Sequence, residues 1–283
     1  MKKYTNKILI ITTALIFVAS TVLFFFKVTE IKKKIAETTQ VLVVGTIHEA
    51  HATNPNYSYQ DIINILGTYN PDVICVEIPP SIFRKELYLK EMEIASIYGF
   101  DNNLKVYPIG CTLPDLQSER EAYMQTDEYL IKKEIADALE KSNDWFKHFI
   151  EKHGNIEDLY SENKMSYDFI NGYDYNWYIS EGYKISINVF GDGCMNDLYE
   201  TRNNEMLKLI GNVITESKGK RMIVLTSAEH AHYFADTLSK RKDIGFLNFS
   251  RILPLKEISP TPNVAEYLEN NSAKGYYSNN IKQ

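Results

Sequence analysis

Cysteine is scarce and scattered. Cys75, Cys111 and Cys194 lie far apart with no Cys-x-x-Cys among them, which excludes a small disulfide-framed domain and a thiolate zinc module. Cys75 falls inside an apolar run, where a small buried hydrophobe is expected. Basic charge is not in excess either: a net charge of −6 leaves no electrostatic footprint for nucleic acid, so no nucleic-acid partner is expected. There is no His-Glu-x-x-His pair. The glycine turn "GDGC" (191–194) lacks the lysine and hydroxyl of a phosphate loop. No internal repeat is visible, and a 44% apolar, 24% charged composition excludes wholesale disorder.

What is present begins at the N-terminus. Ile8 to Phe26 is an uninterrupted uncharged run, preceded by a basic tail (1–7) and followed by Lys27. Its length approaches the ~20 residues of a membrane helix, so a single-pass anchor is expected over 8–28, with a charged linker over 29–39. The short basic tail places the domain outside the cytoplasm. The alternative is a signal segment cut after Val18-Ala19-Ser20, which would release a secreted protein.

Beyond residue 40 the pattern alternates. "VLVVGT" (41–46), "DVICVEIPP" (72–80) and "LKVYPIG" (104–110) read as strands covered on both faces, separated by helices over 58–70 and 81–98. Ser81 is placed to cap the second helix and Gly99 to end it. A helix over 196–217, the strand "RMIVLT" (221–226), a helix from about Ala231 and a strand over 244–250 resume the theme. The fold class expected is α/β: a mainly parallel sheet with flanking helices over 40–260. It carries an insertion over about 115–190, with one or two polar helices to residue 152 and a tyrosine- and asparagine-rich stretch of low periodicity over 153–184. A polar tail over 261–283 follows.

Ligands bind beyond the carboxyl ends of strands in open parallel sheets. After the first strand come Gly45, Thr46, His48, Glu49 and His51. The second ends in Glu77. Beyond the third lie Cys111, Thr112 and Asp115, and after the fourth come Ser227, Glu229, His230 and His232. Four of the six histidines thus fall on one edge, while His148 and His153 sit in a lysine-rich helix and read as solvated. A carboxylate ending "VICV" must be paired or bind a metal. Glu77 is expected to pair with Arg84 or with Arg202, which lies on the helix before the fourth strand.

His48, Glu77 and His230 suit a divalent metal (Mn, Co, Zn or Fe) with room for an activated water. Without metal, His48 serves as a general base oriented by Glu77. Arg202 completes the catalytic set by steadying Glu77 or a developing oxyanion, and Arg84, His51 and His232 are candidate substrate contacts.

The segments "VLVVGTIHEAH", "YNPDVICVEIPPSIFR", "ETRNNEMLKLI" and "RMIVLTSAEHAHYFADTL" together resemble the TraB/PrgY/GumN family. That family groups with the Tiki proteases, the erythromycin esterases and the ChaN-like haem-binding proteins. Gly45-Thr46-Ile47-His48 is similar to its first Gly-x-x-His, and Pro71-Asp72 through Glu77 to its carboxylate segment. Thr201-Arg202 is similar to its arginine-bearing helix. Ser227-Ala228-Glu229-His230 departs from the second Gly-x-x-His in its serine.

The resemblance implies a hydrolase: metal-dependent and peptidase-like as in the Tiki proteases, or metal-free as in the erythromycin esterases. The remaining alternative is a non-catalytic surface module that binds a peptide, a pheromone-like ligand or haem through the insertion.

Overall fold

The structure is a computed structural model that describes residues 20–30, 32, 36–191 and 193–270. The chain divides into two units, Met1–Thr38 and Thr39–Gln283. In the first, residues 20–30 are helical. The anchor expected over 8–28 lies mostly outside the described residues, among which no helix is long and apolar enough to cross a membrane.

The second unit is built on five parallel strands: β1 (Thr39–Thr46), β2 (Val73–Val76), β3 (Lys105–Pro108), β4 (Arg221–Ser227) and β5 (Ile244–Leu247). Their order is β3-β2-β4-β1-β5. Successive strand residues point to opposite faces, and the sheet uses both. Leu42, Val44, Ile74, Val76, Ile223 and Leu225 enter one core with Ile62, Ile63, Leu66, Ile94 and Ile97. Val41, Val43, Val73, Cys75, Met222 and Val224 enter the other with Met206, Ile210, Val213 and Phe234. Two covered faces explain why these strands read as unbroken apolar runs.

The first core is closed by α1 (Tyr59–Tyr69), started by a reciprocal capping box between Ser58 and Asp61, and by α2 (Lys90–Asp101). The helix expected over 81–98 is displaced. Residues 78–89 form turns, because Pro79 and Pro80 lack amide hydrogens and Arg84 takes a left-handed φ of 63°. Gly99 does not end α2; it lies inside it, where a Cβ would stand 2.5 Å from Val106 Cγ2, so the glycine lets the helix press onto β3.

The insertion is wholly organised around helices: α3 (Pro114–Tyr123), α4 (Asp127–Ser142), α5 (Asp144–His153), α6 (Ile156–Ser161), α7 (Tyr167–Ile170) and α8 (Tyr173–Phe190). The low-periodicity reading of 153–184 is corrected here. Its asparagines and serines cap short helices, with Asn155 accepting from Glu157 N and Ser166 from Phe169 N. Its rings pack on one another, Phe149 lying 4.8 Å from Tyr178 and 6.1 Å from Phe169. Several short helices blur any single period. His148 is exposed as expected, but His153 is not solvated: Nε2 lies 2.7 Å from Asp174 Oδ2 and the ring packs on Phe149 and Phe169.

Next come α9 (Cys194–Glu216) and α10 (Ala228–Ser239), which cover the second face of the sheet. The polar tail begins later than expected. α11 (Pro262–Asn270) buries Val264 and Tyr267 in the first core, because one apolar stripe suffices to dock a short polar helix.

Candidate functional site

The long excursion through α3–α9 returns to insert β4 between β1 and β2. Strand ends remote in sequence thereby become adjacent: Thr46 pairs in register with Ser227, and Val76 with Leu225. Glu77, one residue past β2, continues the ladder by donating its N–H to Leu225 O at 3.1 Å.

The Glu77 carboxylate is 2% exposed and fully engaged. Oε1 accepts from Arg202 Nη2 at 2.8 Å; Oε2 accepts from Thr226 Oγ1 at 2.6 Å and from Ser227 N at 2.7 Å. Arg84 is not its partner: the Arg84 guanidinium stacks over the Phe100 ring at 4.2 Å. Burial opposes ionisation of Glu77, but His230, Arg202 and the two donors outweigh it and hold the carboxyl below its ordinary range. His230 is itself driven down to about 4 by burial, against the pull of Glu77. Near neutral pH His230 is therefore uncharged, and the Arg202 charge with the donors from β4 keeps Glu77 ionised.

His230 Nδ1 lies 2.8 Å from Asn203 Oδ1, and its Nε2 stands 3.7 Å from Glu77 Oε1. Tyr199 stacks on its ring at 5.5 Å. The serine that replaces glycine in "SAEH" has a local task. Ser227 caps α10 through a 3.3 Å bond from Glu229 N, and its own N–H serves Glu77.

His48 follows β1 and opens a single 3₁₀ turn (His48–Ala52). Its φ is 52°, a conformation that costs a non-glycine residue about 1 kcal/mol. Such strain persists where the surroundings over-determine it. The determinant is Glu91 in the first turn of α2, whose Oε1 lies 2.9 Å from His48 Nδ1 and 3.3 Å from Thr46 Oγ1. The hydrogen bond to Glu91 raises the His48 pKa; burial pulls the other way, and the charges of Glu91, Glu77 and Glu49 add to the rise. Glu77 thus lies near enough to act on His48, and His48 on His230. Glu91 is 0% exposed, and its Oε2 has no hydrogen-bond partner.

The other candidates are placed less centrally. Both His51 nitrogens are spent on its own segment, Nε2 accepting from Ile47 N at 3.0 Å and Nδ1 bonding Tyr57 O at 2.8 Å, so none is left for a substrate. His232 Nδ1 bonds Glu229 O at 2.9 Å on its own helix. Gly45 has a packing reason: a Cβ there would stand 2.8 Å from Ala228 Cα, so its absence lets α10 approach β1.

A divalent ion was expected on His48, Glu77 and His230. Among the described residues, no three His, Cys, Asp or Glu side chains converge on a common metal position. A guanidinium lies on Glu77 Oε1, while Nδ1 of each histidine is held by Glu91 or Asn203 and Nε2 is left over, the arrangement a ligating imidazole also takes.

Four participants escaped the sequence reading: Glu91, Thr226, Asn203 and Asn171. Glu91 carried no sequence signal; only the fold shows that it lies on a helix whose residues 91–99 are all buried. Asn171 seals the insertion to the site edge, accepting from Gly45 N at 2.7 Å and donating to Gly45 O at 3.3 Å. Asn54 and Asn56 bind Met165 O and Asn163 O in the same seam. No protein-family model, curated protein or solved structure matches this chain.

Proposed function

We propose that this protein is a hydrolase of carbonyl substrates, esters or amides, with His48 as its general base. The observation that carries the reading is the His48–Glu91 pair: a strained, one-third-exposed histidine held by a fully buried carboxylate beside the Arg202–Glu77 pair. With Nδ1–H donating to Glu91, His48 Nε2 keeps a lone pair for a water proton. The water oxygen adds to the carbonyl carbon, and the displaced electron pair becomes an oxyanion that the half-buried Arg202 guanidinium neutralises. Collapse expels the leaving group, which recovers the proton from His48. Glu77 keeps Arg202 in place, and neutral His230 adds no competing charge.

The motif likeness to the TraB/PrgY/GumN family supports the same reaction class. A metal-dependent course would require Glu77 to exchange Arg202 for a cation; the short His230 Nε2 to Glu77 separation is what favours it. The apolar run over 8–26 supports anchorage to the cell membrane with the domain outside the cytoplasm, which protease accessibility on intact cells tests.

The reaction is tested on the purified full chain with chromogenic esters and a peptide library. His48→Ala is expected to lower turnover at least 100-fold, the lower range for loss of a general base, and wild-type activity is expected to survive exhaustive chelation. Undiminished hydrolysis in His48→Ala refutes the reading; activity lost on chelation and restored by one metal replaces it with the metal-dependent course.

A further inference from the structure

In the insertion, α4 is built inside out. Its half-buried residues are Tyr129, Lys132, Ala136, Asp137 and Glu140. Tyr129 stacks on Phe190 of α8 at 5.7 Å, and Glu140 accepts from Tyr178 Oη of the same helix at 3.3 Å. The residues turned to solvent include Leu130, Ile131, Ile135 and Leu139, exposed by 54, 60, 49 and 37%. A surface helix ordinarily points its apolar stripe at the core; an apolar stripe on the outside marks an interaction surface. Ile131, Ile135 and Leu139 recur at every fourth residue, so they line up as one seam along the helix.

Charge decides what covers the seam. Helices that lie in a lipid surface carry lysine and arginine on their polar face, whereas α4 sets five acidic residues against three lysines. Lys132 and Lys133 are already held by Glu128 at 2.9 Å and Asp137 at 3.0 Å. Among the described residues, Asp127 in the first turn and Lys141 in the last make no ion pair. At about 100° per residue both fall on the same flank of the seam, about 21 Å apart. A helix with an acid at one end of a flank and a lysine at the other complements itself when reversed. An antiparallel pair about a two-fold axis at Ile135 sets Ile131 against Leu139 and Asp127 beside Lys141. Glu134 meets its counterpart near the axis. That like-charge contact, and a seam one helix wide, keep the association weaker than a standard interface of about 800 Å² per partner.

We propose that two copies of this chain associate reversibly through α4, packed antiparallel across the seam of Ile131, Ile135 and Leu139. The contact is isologous, so it closes at two copies. It stands independently of the hydrolase reading, because α4 contributes no residue to the His48 site.

Cysteine cross-linking of the purified full chain tests the register. The two-fold axis sets position 135 against itself but holds the two copies of position 131 about 12 Å apart along the helix, beyond the reach of a disulfide. Oxidation of Ile135→Cys is expected to give at least ten times the wild-type yield of covalent dimer on a non-reducing gel, the wild type reporting any background from Cys111 and Cys194. Ile131→Cys alone should stay at that background, while an equimolar mixture of Ile131→Cys and Leu139→Cys should cross-link. In sedimentation equilibrium, Ile135→Lys should weaken self-association at least tenfold; the site is exposed, so the core is untouched. Background yield from Ile135→Cys, equal yields from Ile135→Cys and Ile131→Cys, or a wild type that stays monomeric overturns the proposal. Self-association indifferent to Ile135→Lys also overturns it and moves the contact elsewhere, the apolar run over 8–26 included.

Discussion

Glu77 and Glu91 are both buried, at 2% and 0% exposure, yet their oxygens are used differently. Both oxygens of Glu77 accept from donors fixed by neighbouring elements: Arg202 on α9, and Thr226 and Ser227 on β4. Glu91 accepts on one oxygen only, from Thr46 and a histidine in a strained conformation, and leaves the other bare. A buried carboxylate with every lone pair satisfied behaves as part of the framework, whereas a half-satisfied one keeps an interaction in reserve. The contrast divides the site into a locked half, whose carboxylate is fully bonded, and a poised half, where His48, the base we propose, meets a carboxylate that is not.

The largest break in that comparison is expected on the locked side. Glu77→Ala strands the Arg202 charge and two β4 donors, and should cost about 3 kcal/mol, the low end for breaking a buried pair because Arg202 is 30% exposed. Urea unfolding measures it, and a loss near zero would show that Glu77 is no part of the framework.

Next in size is an acid slope from His230. Its folded pKa of about 4 lies below the ordinary 6.5, so the unfolded chain binds a proton that the folded chain refuses. Stability is therefore full above about pH 6.5 and declines as pH falls towards 4. His230→Asn should flatten that window. Equal slopes in both proteins would refute the assignment.

The smallest effect sharpens the poised side. Glu91→Gln keeps a hydrogen-bond acceptor for His48 but removes the charge that raises its pKa. The rising limb of the activity profile, expected above pH 6.5 in the wild type, should move to lower pH with turnover at its plateau reduced less than in His48→Ala. A limb that stays in place would exclude His48 as the titrating base. The same raised pKa predicts a small stabilisation that is complete below pH 6.5 and lost as pH rises through the folded value.

Much of the locked half was legible in sequence, because its cause is local. "VICVE" must put a carboxylate at the end of a doubly covered strand, and a carboxylate there needs a partner; Arg202 was one of two candidates. Arg84 was the wrong one, because its left-handed backbone turns the chain beside Pro79 and Pro80 and its guanidinium rests on Phe100. The poised half was scarcely legible. Glu91 lies 43 residues from His48 on a helix whose start the sequence misplaced, and no local pattern links the two. The tyrosine-rich insertion hid its helices for a related reason: caps and ring contacts, rather than one apolar stripe, hold them.

By itself the sequence determined the parallel α/β class, the apolar strands and the histidines and carboxylate at their carboxyl ends, because an unbroken apolar run and the polarity at its end are local properties of a strand covered on both faces. Only the tertiary structure decided which strand ends meet. Placing β4 between β1 and β2 is a long-range pairing closed after more than a hundred residues of intervening chain. That pairing brings Arg202 and the β4 donors onto Glu77, and the packing of α2 on the first core lays Glu91 against His48.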